Sequence, residues 1–161
     1  MKSLPYRKCV VCVIFKDDKY LLTQRPGWKK SWWKFPQGGV EGSENEEDTI
    51  VRELREELNI VNFRILMRSK FTLRYEWPTK IVKKNLDKWM GQEQTFYVVE
   101  YLGLVSDLKI SDPAEINDFQ LVEENQMLSL INHRAKVFTG YKKVIRKVLK
   151  EAKNRVTYST N

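Results

Sequence analysis

The chain has 161 residues, of which 42% are hydrophobic and 31% are charged, a balance typical of one soluble globular domain. No apolar run approaches the length needed to cross a bilayer, and the first eight residues contain no hydrophobic signal segment, which disfavours a membrane protein and a secreted protein. We therefore expect a single cytoplasmic domain over residues 1–161, with residues 154–161 forming a flexible polar tail.

The net charge of +8 is unevenly distributed along the chain. Residues 41–57 contain eight acidic and two basic residues, a net of −6, so the remainder carries +14. Such a basic surface favours polyanionic partners such as nucleotides or RNA, although basic residues can also serve solubility alone. We expect no partner in duplex DNA or in a membrane, and a monomer or weak homodimer.

The N-terminal part of the chain predicts a β-hairpin. Two β-rich runs, residues 8–15 and 19–24, are separated by a turn-forming cluster at residues 16–18. Cys9 and Cys12 lie three positions apart on the first run, so their sulfur atoms face opposite sides of the strand. Because no second cysteine pair exists, we expect buried free thiols and no metal or redox centre.

A basic loop rich in tryptophan follows the hairpin and leads into Gly38 and Gly39. Paired glycines allow the backbone to approach a ligand closely. Of the three tryptophans in this loop, we assign Trp33 to the core. Trp28 and Trp32 are consistent both with core packing and with a nucleobase-stacking surface.

An acidic amphipathic helix is predicted next. Ser43 is a suitable N-cap and Glu46, three residues later, completes a capping box. Asn59 is predicted to end the helix, because asparagine tolerates the left-handed backbone conformation that follows many last turns. The helix has an apolar stripe that we expect to face the core, formed by Ile50, Val51, Leu54 and Leu58.

Three glutamates of this helix, Glu53, Glu56 and Glu57, project as neighbours because they are spaced at i, i+3 and i+4. Two such charges ~6 Å apart repel by about 3 kcal/mol at an effective dielectric constant of about 20. A hard divalent cation would remove this repulsion, and Mg²⁺ characteristically binds one or two carboxylates together with substrate phosphates. The alternative is a solvated acidic helix face without chemistry.

The remaining chain adds strands and two helices. Strands are predicted at residues 63–68, 71–75, 95–104 and 118–122, and helices at residues 122–131 and 137–152. A polar, lysine-rich connection separates the second and third of these strands. Strands surrounding one acidic helix, with a long closing helix, predict an α/β domain in which helices cover both faces of a mixed sheet.

The stretch from Gly38 through Glu44 to Arg52–Ile60 resembles the Nudix box, with Asn59 at a position where that family usually has glycine. The resemblance implies an α/β/α sandwich and a hydrolase of phosphorus-containing acid anhydrides. It also implies a Mg²⁺ cofactor, which Mn²⁺ can replace. Silent members of the family would be expected to lack one or more of the box carboxylates, whereas this chain has them.

Short segments outside the box are similar to one Nudix branch, which contains bacterial RNA pyrophosphohydrolases and plant-type asymmetric diadenosine tetraphosphate hydrolases. These segments are Tyr6-Arg7, residues 35–39, Arg74-Tyr75 with Pro78, residues 91–94 and residues 146–151. The likeness implies cleavage of a phosphoanhydride bond in dinucleoside polyphosphates, in the 5′-triphosphate end of RNA, or in both. A pyrophosphatase that cleans the nucleoside triphosphate pool and a silent nucleotide- or RNA-binding module are the alternatives.

The box positions suggest specific roles. The metal ligands are predicted to be the Gly38 carbonyl and the side chains of Glu53, Glu56, Glu57 and Glu115. Arg52 is expected to orient a glutamate and Glu44 to organise the helix start, while Glu57 and Glu115 are alternatives for the general base. Candidate substrate-binding residues are Arg7, Arg25, Trp32, Gln37, Tyr75, Lys80 and Lys83. His133, the single histidine, is assigned no chemistry.

Overall fold

The computed structural model describes residues 3–133, 135 and 138–159, with side chains to Arg155. The strands are β1 (Tyr6–Lys16), β2 (Lys19–Gln24), β3 (Gln37–Gly39), β4 (Phe63–Glu76), β5 (Gly91–Tyr101) and β6 (Asp118–Val122). The helices are α1 (Glu46–Leu58), α2 (Thr79–Lys84), α3 (Glu124–Leu130) and α4 (Tyr141–Ser159), and a 3₁₀ turn lies at Val105–Asp107. None of the helices in the described ranges is long and apolar enough to span a bilayer.

The six strands form one mixed sheet in the order β4-β5-β1-β2-β6, with β3 paired to β1 off this path. β1 and β5 are parallel neighbours, and the other pairs are antiparallel. Central strands covered on both faces are continuously apolar, and residues 9–14 of β1 are all buried. Cys9 and Cys12 are buried and free, and the predicted hairpin is confirmed.

Two hydrophobic cores lie on opposite faces of the sheet. Ile50, Leu54 and Leu58 of α1 are buried in one core with Cys12, whereas α3 and α4 close the other. This confirms the predicted mixed sheet with helices on both faces. The assignment of Val51 to the apolar stripe was wrong, because its side chain lies beyond the edge of the contact face and is 48% exposed.

Several boundaries differ from the prediction. The two strands expected at residues 63–68 and 71–75 are one strand, β4, interrupted by register shifts. At the irregularity, Glu151 of α4 accepts hydrogen bonds from Ser69 Oγ at 2.6 Å and from Lys70 N at 3.1 Å, which holds the bulge in place. The lysine-rich connection contains α2. Helix α4 continues to Ser159, and Val137, the predicted first residue of its apolar stripe, lies outside the described residues.

Residues 34–39 insert between β1 and β2 beyond the hairpin turn. Lys34 forms an isolated bridge with Thr23 of β2, Cys12 N donates to Pro36 O at 2.8 Å, and Gly38 pairs with Val10 of β1. β3 also contacts α1. The inserted segment therefore brings the paired glycines against the acidic helix.

Candidate active site

The ends of α1 fix the direction in which its carboxylates project. Asn45, and not Ser43, is the N-cap: it accepts from Asp48 N at 2.8 Å, and Asp48 accepts from Asn45 N at 3.4 Å. The predicted Ser43–Glu46 capping box was therefore wrong, since the chain is still turning at Gly42, which has a φ of 51°. Asn59 ends the helix in the left-handed conformation, as predicted.

The Arg52 guanidinium joins the start of the helix to its carboxylates. It donates to Glu44 Oε1 at 2.6 Å, to Glu53 Oε1 at 2.7 Å and to the Gly39 carbonyl at 3.0 Å, with a longer bond of 3.4 Å to Glu56 Oε2. The hydrogen bonds from Arg52 lower the pKa of Glu44 to about 2. Arg52 thus holds Glu53 in one orientation and ties it to the glycine segment.

The close approach of Gly38 to α1 requires glycine. A Cβ added at Gly38 would lie 2.0 Å from Glu53 Cδ and 2.2 Å from Glu53 Oε1. A Cβ at Gly39 would lie 2.4 Å from Nη2 of Arg7. The two glycines therefore let the backbone lie directly beside a glutamate on one side and an arginine on the other.

Glu57 is the most deeply buried carboxylate of the three. It is only 4% exposed, and within the described part of the chain its Oε2 has no hydrogen-bond partner. Burial, with a smaller contribution from the nearby Glu53 and against the opposing effect of Lys34, raises the pKa of Glu57 to about 8. Burial likewise raises the pKa of Glu53, against the effect of Arg52.

These groups line a cavity of about 280 Å³, which we call the carboxylate pocket. The carboxylates that line it are Glu41, Glu53, Glu56, Glu57, Asp112 and Glu115. Glu115, predicted as a loop ligand, reaches this pocket from the β5–β6 connection and pairs with Arg25 at 2.8 Å. The Glu56 side chain is 56% exposed and that of Glu115 is 48% exposed. The structure thus brings all four predicted glutamates to one pocket.

The donor set of this pocket suits a divalent cation. Among the described residues no three His, Cys, Asp or Glu side chains already converge as metal ligands, because Arg52 holds Glu53 and because Glu56 extends into solvent. The unpartnered Oε2 of Glu57 beside Glu53 is a hard oxygen ligand of the kind that Mg²⁺ and Mn²⁺ bind. The residues therefore fit a metal held by carboxylate oxygens.

We predict that metal binding depends on pH. A cation binds ionised carboxylates and so displaces the proton of Glu57. Because the pKa of Glu57 is raised to about 8, Mg²⁺ should increase Tm more at about pH 9 than at about pH 6. Without metal, the stability supplied by this protonated carboxyl should be lost as pH rises from its unfolded pKa towards about 8.

Differential scanning fluorimetry with and without Mg²⁺ measures this dependence. The Glu57→Gln variant is the control, since it has no proton to release at this position and should show a smaller Mg²⁺-induced shift with a weaker dependence on pH. Equal Mg²⁺-induced shifts at both pH values in the unaltered protein would contradict the prediction.

A second, larger cavity of about 920 Å³ adjoins the carboxylate pocket, and we call it the aromatic cavity. Its aromatic lining residues are Trp28, Trp32, Tyr75, Trp77, Phe138 and Tyr141. Trp28 and Trp32 stack edge-to-face on each other with ring centroids 5.9 Å apart, and both contact Phe138. Trp33, by contrast, is a core residue, as assigned.

The two cavities share one wall, formed by Arg7, Arg25, Lys34, Gln37, Gln92 and Glu115. Of the predicted substrate-binding residues, Arg7, Arg25 and Gln37 line both cavities, and Trp32 and Tyr75 line the aromatic cavity. Lys80 and Lys83 line neither. The aromatic cavity is lined instead by Ile81, Lys84 and Asn85, which share one face of the α2 segment because of their i, i+3 and i+4 spacing.

Sequence reasoning missed several residues of the site, including Lys34, Asp112 and Lys84. The sequence contains one signal for Lys34. In an extended Trp33-Lys34-Phe35 segment with both aromatic side chains in the core, the lysine side chain must face the opposite side of the segment. His133, which was assigned no chemistry, packs beside the tryptophan loop. Its Nε2 lies 2.8 Å from Trp33 O and its ring packs 4.3 Å from that of Phe138.

Comparison with known families decides the identity of the domain. The family model described as the NUDIX domain matches residues 5–148. The chain belongs to the Nudix family. Curated relatives include an RNA pyrophosphohydrolase of Gluconobacter oxydans, 31% identical over 79% of this chain and 77% of that protein. An RNA pyrophosphohydrolase of Zymomonas mobilis is 32% identical over 81% of this chain and 88% of that protein.

Solved structures show the same fold at lower sequence identity. The dihydroneopterin triphosphate pyrophosphohydrolase of E. coli superposes with a TM-score of 0.65 at 15% identity and covers 88% of this chain and 99% of its own. An Ap4A hydrolase of C. elegans superposes with a TM-score of 0.61 at 19% identity, and the match covers 88% of this chain and 95% of that protein. The predicted Nudix fold, the predicted branch and the prediction of a hydrolase are therefore confirmed.

Proposed function

We propose that this Nudix hydrolase is a cytoplasmic pyrophosphohydrolase that depends on Mg²⁺ or Mn²⁺ and cleaves a phosphoanhydride bond next to a nucleoside. The observation that supports this most strongly is the shared basic wall between the carboxylate pocket and the aromatic cavity. A polyphosphate chain joined to a nucleoside requires such an arrangement: oxygen ligands for a cation at one end, cations along the chain and aromatic rings for the base.

The carboxylate pocket supplies the hydrolytic groups. A bound divalent cation would shield the phosphate charge and acidify a water molecule. Glu53, Glu56 and Glu57, with the Gly38 carbonyl, would hold it, and Arg52 would keep Glu53 in place. Glu57 and Glu115 are both in the pocket, so either carboxylate could accept the proton of the attacking water.

The shared wall and the aromatic cavity supply substrate recognition. Arg7 and Arg25 can donate to phosphate oxygens, and Arg25 is fixed by its 2.8 Å ion pair with Glu115. Trp28 and Trp32 form an edge-to-face pair at the cavity. Stacking of a base on such a ring contributes about 1–3 kcal/mol and tolerates any base.

The 5′-triphosphate end of RNA is the substrate that we favour, because the relatives above are RNA pyrophosphohydrolases. Dinucleoside polyphosphates of the diadenosine tetraphosphate type are the second candidate. In their favour, the aromatic cavity has a second group of rings at Tyr75 and Trp77, apart from the Trp28 group in sequence. We expect no duplex DNA or membrane partner, and a monomer or weak homodimer.

A competition assay identifies the preferred substrate and tests how the affinity for RNA depends on salt. A 5′-triphosphate RNA should compete with diadenosine tetraphosphate at low salt, and its apparent affinity should fall more steeply with added monovalent salt at fixed Mg²⁺. The reason is that a longer polyanion contacts more of the exposed lysines and arginines. Products are identified by chromatography, with the inactive Glu57→Gln variant as the control for contaminating phosphatases.

Two results would change this assignment. If simple nucleoside triphosphates outcompete both substrates, the protein cleans the nucleotide pool instead. If it binds these ligands without turnover at any Mg²⁺ or Mn²⁺ concentration, it is a silent binding module.

A further inference from the structure

Lys34 occupies the junction of the carboxylate pocket and the aromatic cavity, and it lines both. Its backbone is fixed by two hydrogen bonds with Thr23, of 2.7 and 3.0 Å. Trp33 and Phe35 on either side are buried in the core closed by α3 and α4. The alternation of side chains along this extended segment therefore directs Lys34 away from that core. Burial lowers the pKa of the Lys34 ammonium, and Glu57 of α1 is the carboxylate that opposes this shift most.

The Lys34 ammonium finds no acceptor among the described residues, although Lys34 is only 3% exposed. Within the part of the chain that the structure describes, Nζ takes part in no hydrogen bond and no ion pair. It lies 5.9 Å from the centroid of the Trp28 ring. Glu115 and Glu53 attract the charge from a distance, Glu57 attracts it when ionised, and Arg25 repels it. Holding an ammonium in a residue that is largely withdrawn from water, without a protein acceptor, is costly, so such a group is expected to have a use.

We propose that Lys34 is a phosphate-binding subsite, whose ammonium donates to non-bridging oxygens of the polyphosphate chain where the chain passes from the aromatic cavity into the carboxylate pocket. This inference rests on the proposed function and assigns a ligand-binding role to one further residue. A bound phosphate supplies the oxygen acceptors that the protein itself does not offer to Nζ.

The position of Lys34 explains why its role differs from that of the other two cations of the shared wall. The side chain of Arg25 is 41% exposed and already paired with Glu115, and Arg7 lies against Gly39. Lys34 is buried where water screens charge least, so its attraction for a phosphate exceeds that of a surface lysine. It should therefore act on the phosphate chain and leave the nucleoside unaffected.

Calorimetric titration with inorganic tripolyphosphate, and separately with adenosine, tests the proposal in metal-free buffer. Lys34→Met keeps most of the side-chain volume and removes the charge. We expect tripolyphosphate to bind this variant ~10–100-fold more weakly, the loss typical of a hydrogen bond to a charged group. Adenosine affinity should stay unchanged, and Tm should be unchanged or higher because a buried unpaired charge is gone. Lys34→Arg should retain most of the affinity.

Lys109→Met is the matched control, since Lys109 is exposed and lines neither cavity. The proposal is overturned if Lys34→Met binds tripolyphosphate as the unaltered protein does, or if adenosine binding falls equally. If the melting temperatures of Lys34→Met and Lys34→Gln are both far below that of the unaltered protein, the ammonium is required for folding stability and the proposal also fails. If the unaltered protein neither binds tripolyphosphate nor hydrolyses any nucleoside polyphosphate, the proposed function itself is wrong.

Discussion

Replacing Glu57 with glutamine should reduce kcat on the order of 10³-fold while leaving the metal-free protein folded. Glutamine has almost the same volume as glutamate but cannot provide an anionic oxygen ligand. The substitution acts at a carboxylate that is 4% exposed and whose Oε2 has no hydrogen-bond partner among the residues that the structure describes. A residue maintained in this costly state is expected to gain its partner from a bound cation.

Turnover at saturating Mg²⁺ and melting in metal-free buffer measure the two parts of this prediction. Tm should change by less than about 3 °C, since Glu57 is largely protonated at neutral pH and glutamine resembles the neutral carboxyl. Glu56→Gln should also lose most activity, because it removes a predicted metal ligand that is exposed. Glu47→Gln, an exposed glutamate in the first turn of the same helix, is the matched control and should behave as the unaltered protein. Near-normal turnover of folded Glu57→Gln would refute the proposed metal site.

Replacing Gly38 with alanine should cost about 10²-fold in activity, because a displacement of about 1 Å at a catalytic group is enough for such a loss. The new Cβ would lie 2.0 Å from Glu53 Cδ. Glu53 cannot simply rotate away, since Arg52 holds its Oε1 at 2.7 Å and is itself bonded to Glu44 and Gly39. Relief of the clash therefore displaces a predicted metal ligand, the Gly38 backbone, or both.

The adjacent substitution Gly39→Ala separates this explanation from a general intolerance of side chains in β3. Its Cβ would meet Nη2 of Arg7, the end of a flexible side chain, at 2.4 Å. We expect Gly39→Ala to raise KM for the polyphosphate and to retain the Mg²⁺-induced increase in Tm, whereas Gly38→Ala should lose that increase. The interpretation fails if both variants keep the Mg²⁺ response, or if both lose it.

The sequence by itself determined the elements whose signals are local. The i, i+3 and i+4 spacing of Glu53, Glu56 and Glu57 places them on one helix face whatever surrounds the helix, and the left-handed Asn59 follows from the preference of its own backbone. The two β-rich runs at residues 8–15 and 19–24, separated by a turn-forming cluster, similarly indicated the hairpin of β1 and β2. The capping box was misassigned to Ser43 because several suitable capping residues precede the acidic run, and only the turn at Gly42 selects Asn45.

Only the tertiary structure decided which distant residues meet. The insertion of residues 34–39 between β1 and β2 sets Gly38 against Glu53, and the β5–β6 connection brings Glu115 to the same pocket. Neither contact has a local signature, since each joins segments far apart in the chain. For Lys34, local alternation indicates only that the side chain faces away from the core, and the sequence otherwise presents it as one lysine among many. Its buried position between two cavities arises from strand pairing, and the electrostatic cost of that burial distinguishes it from the solvated lysines.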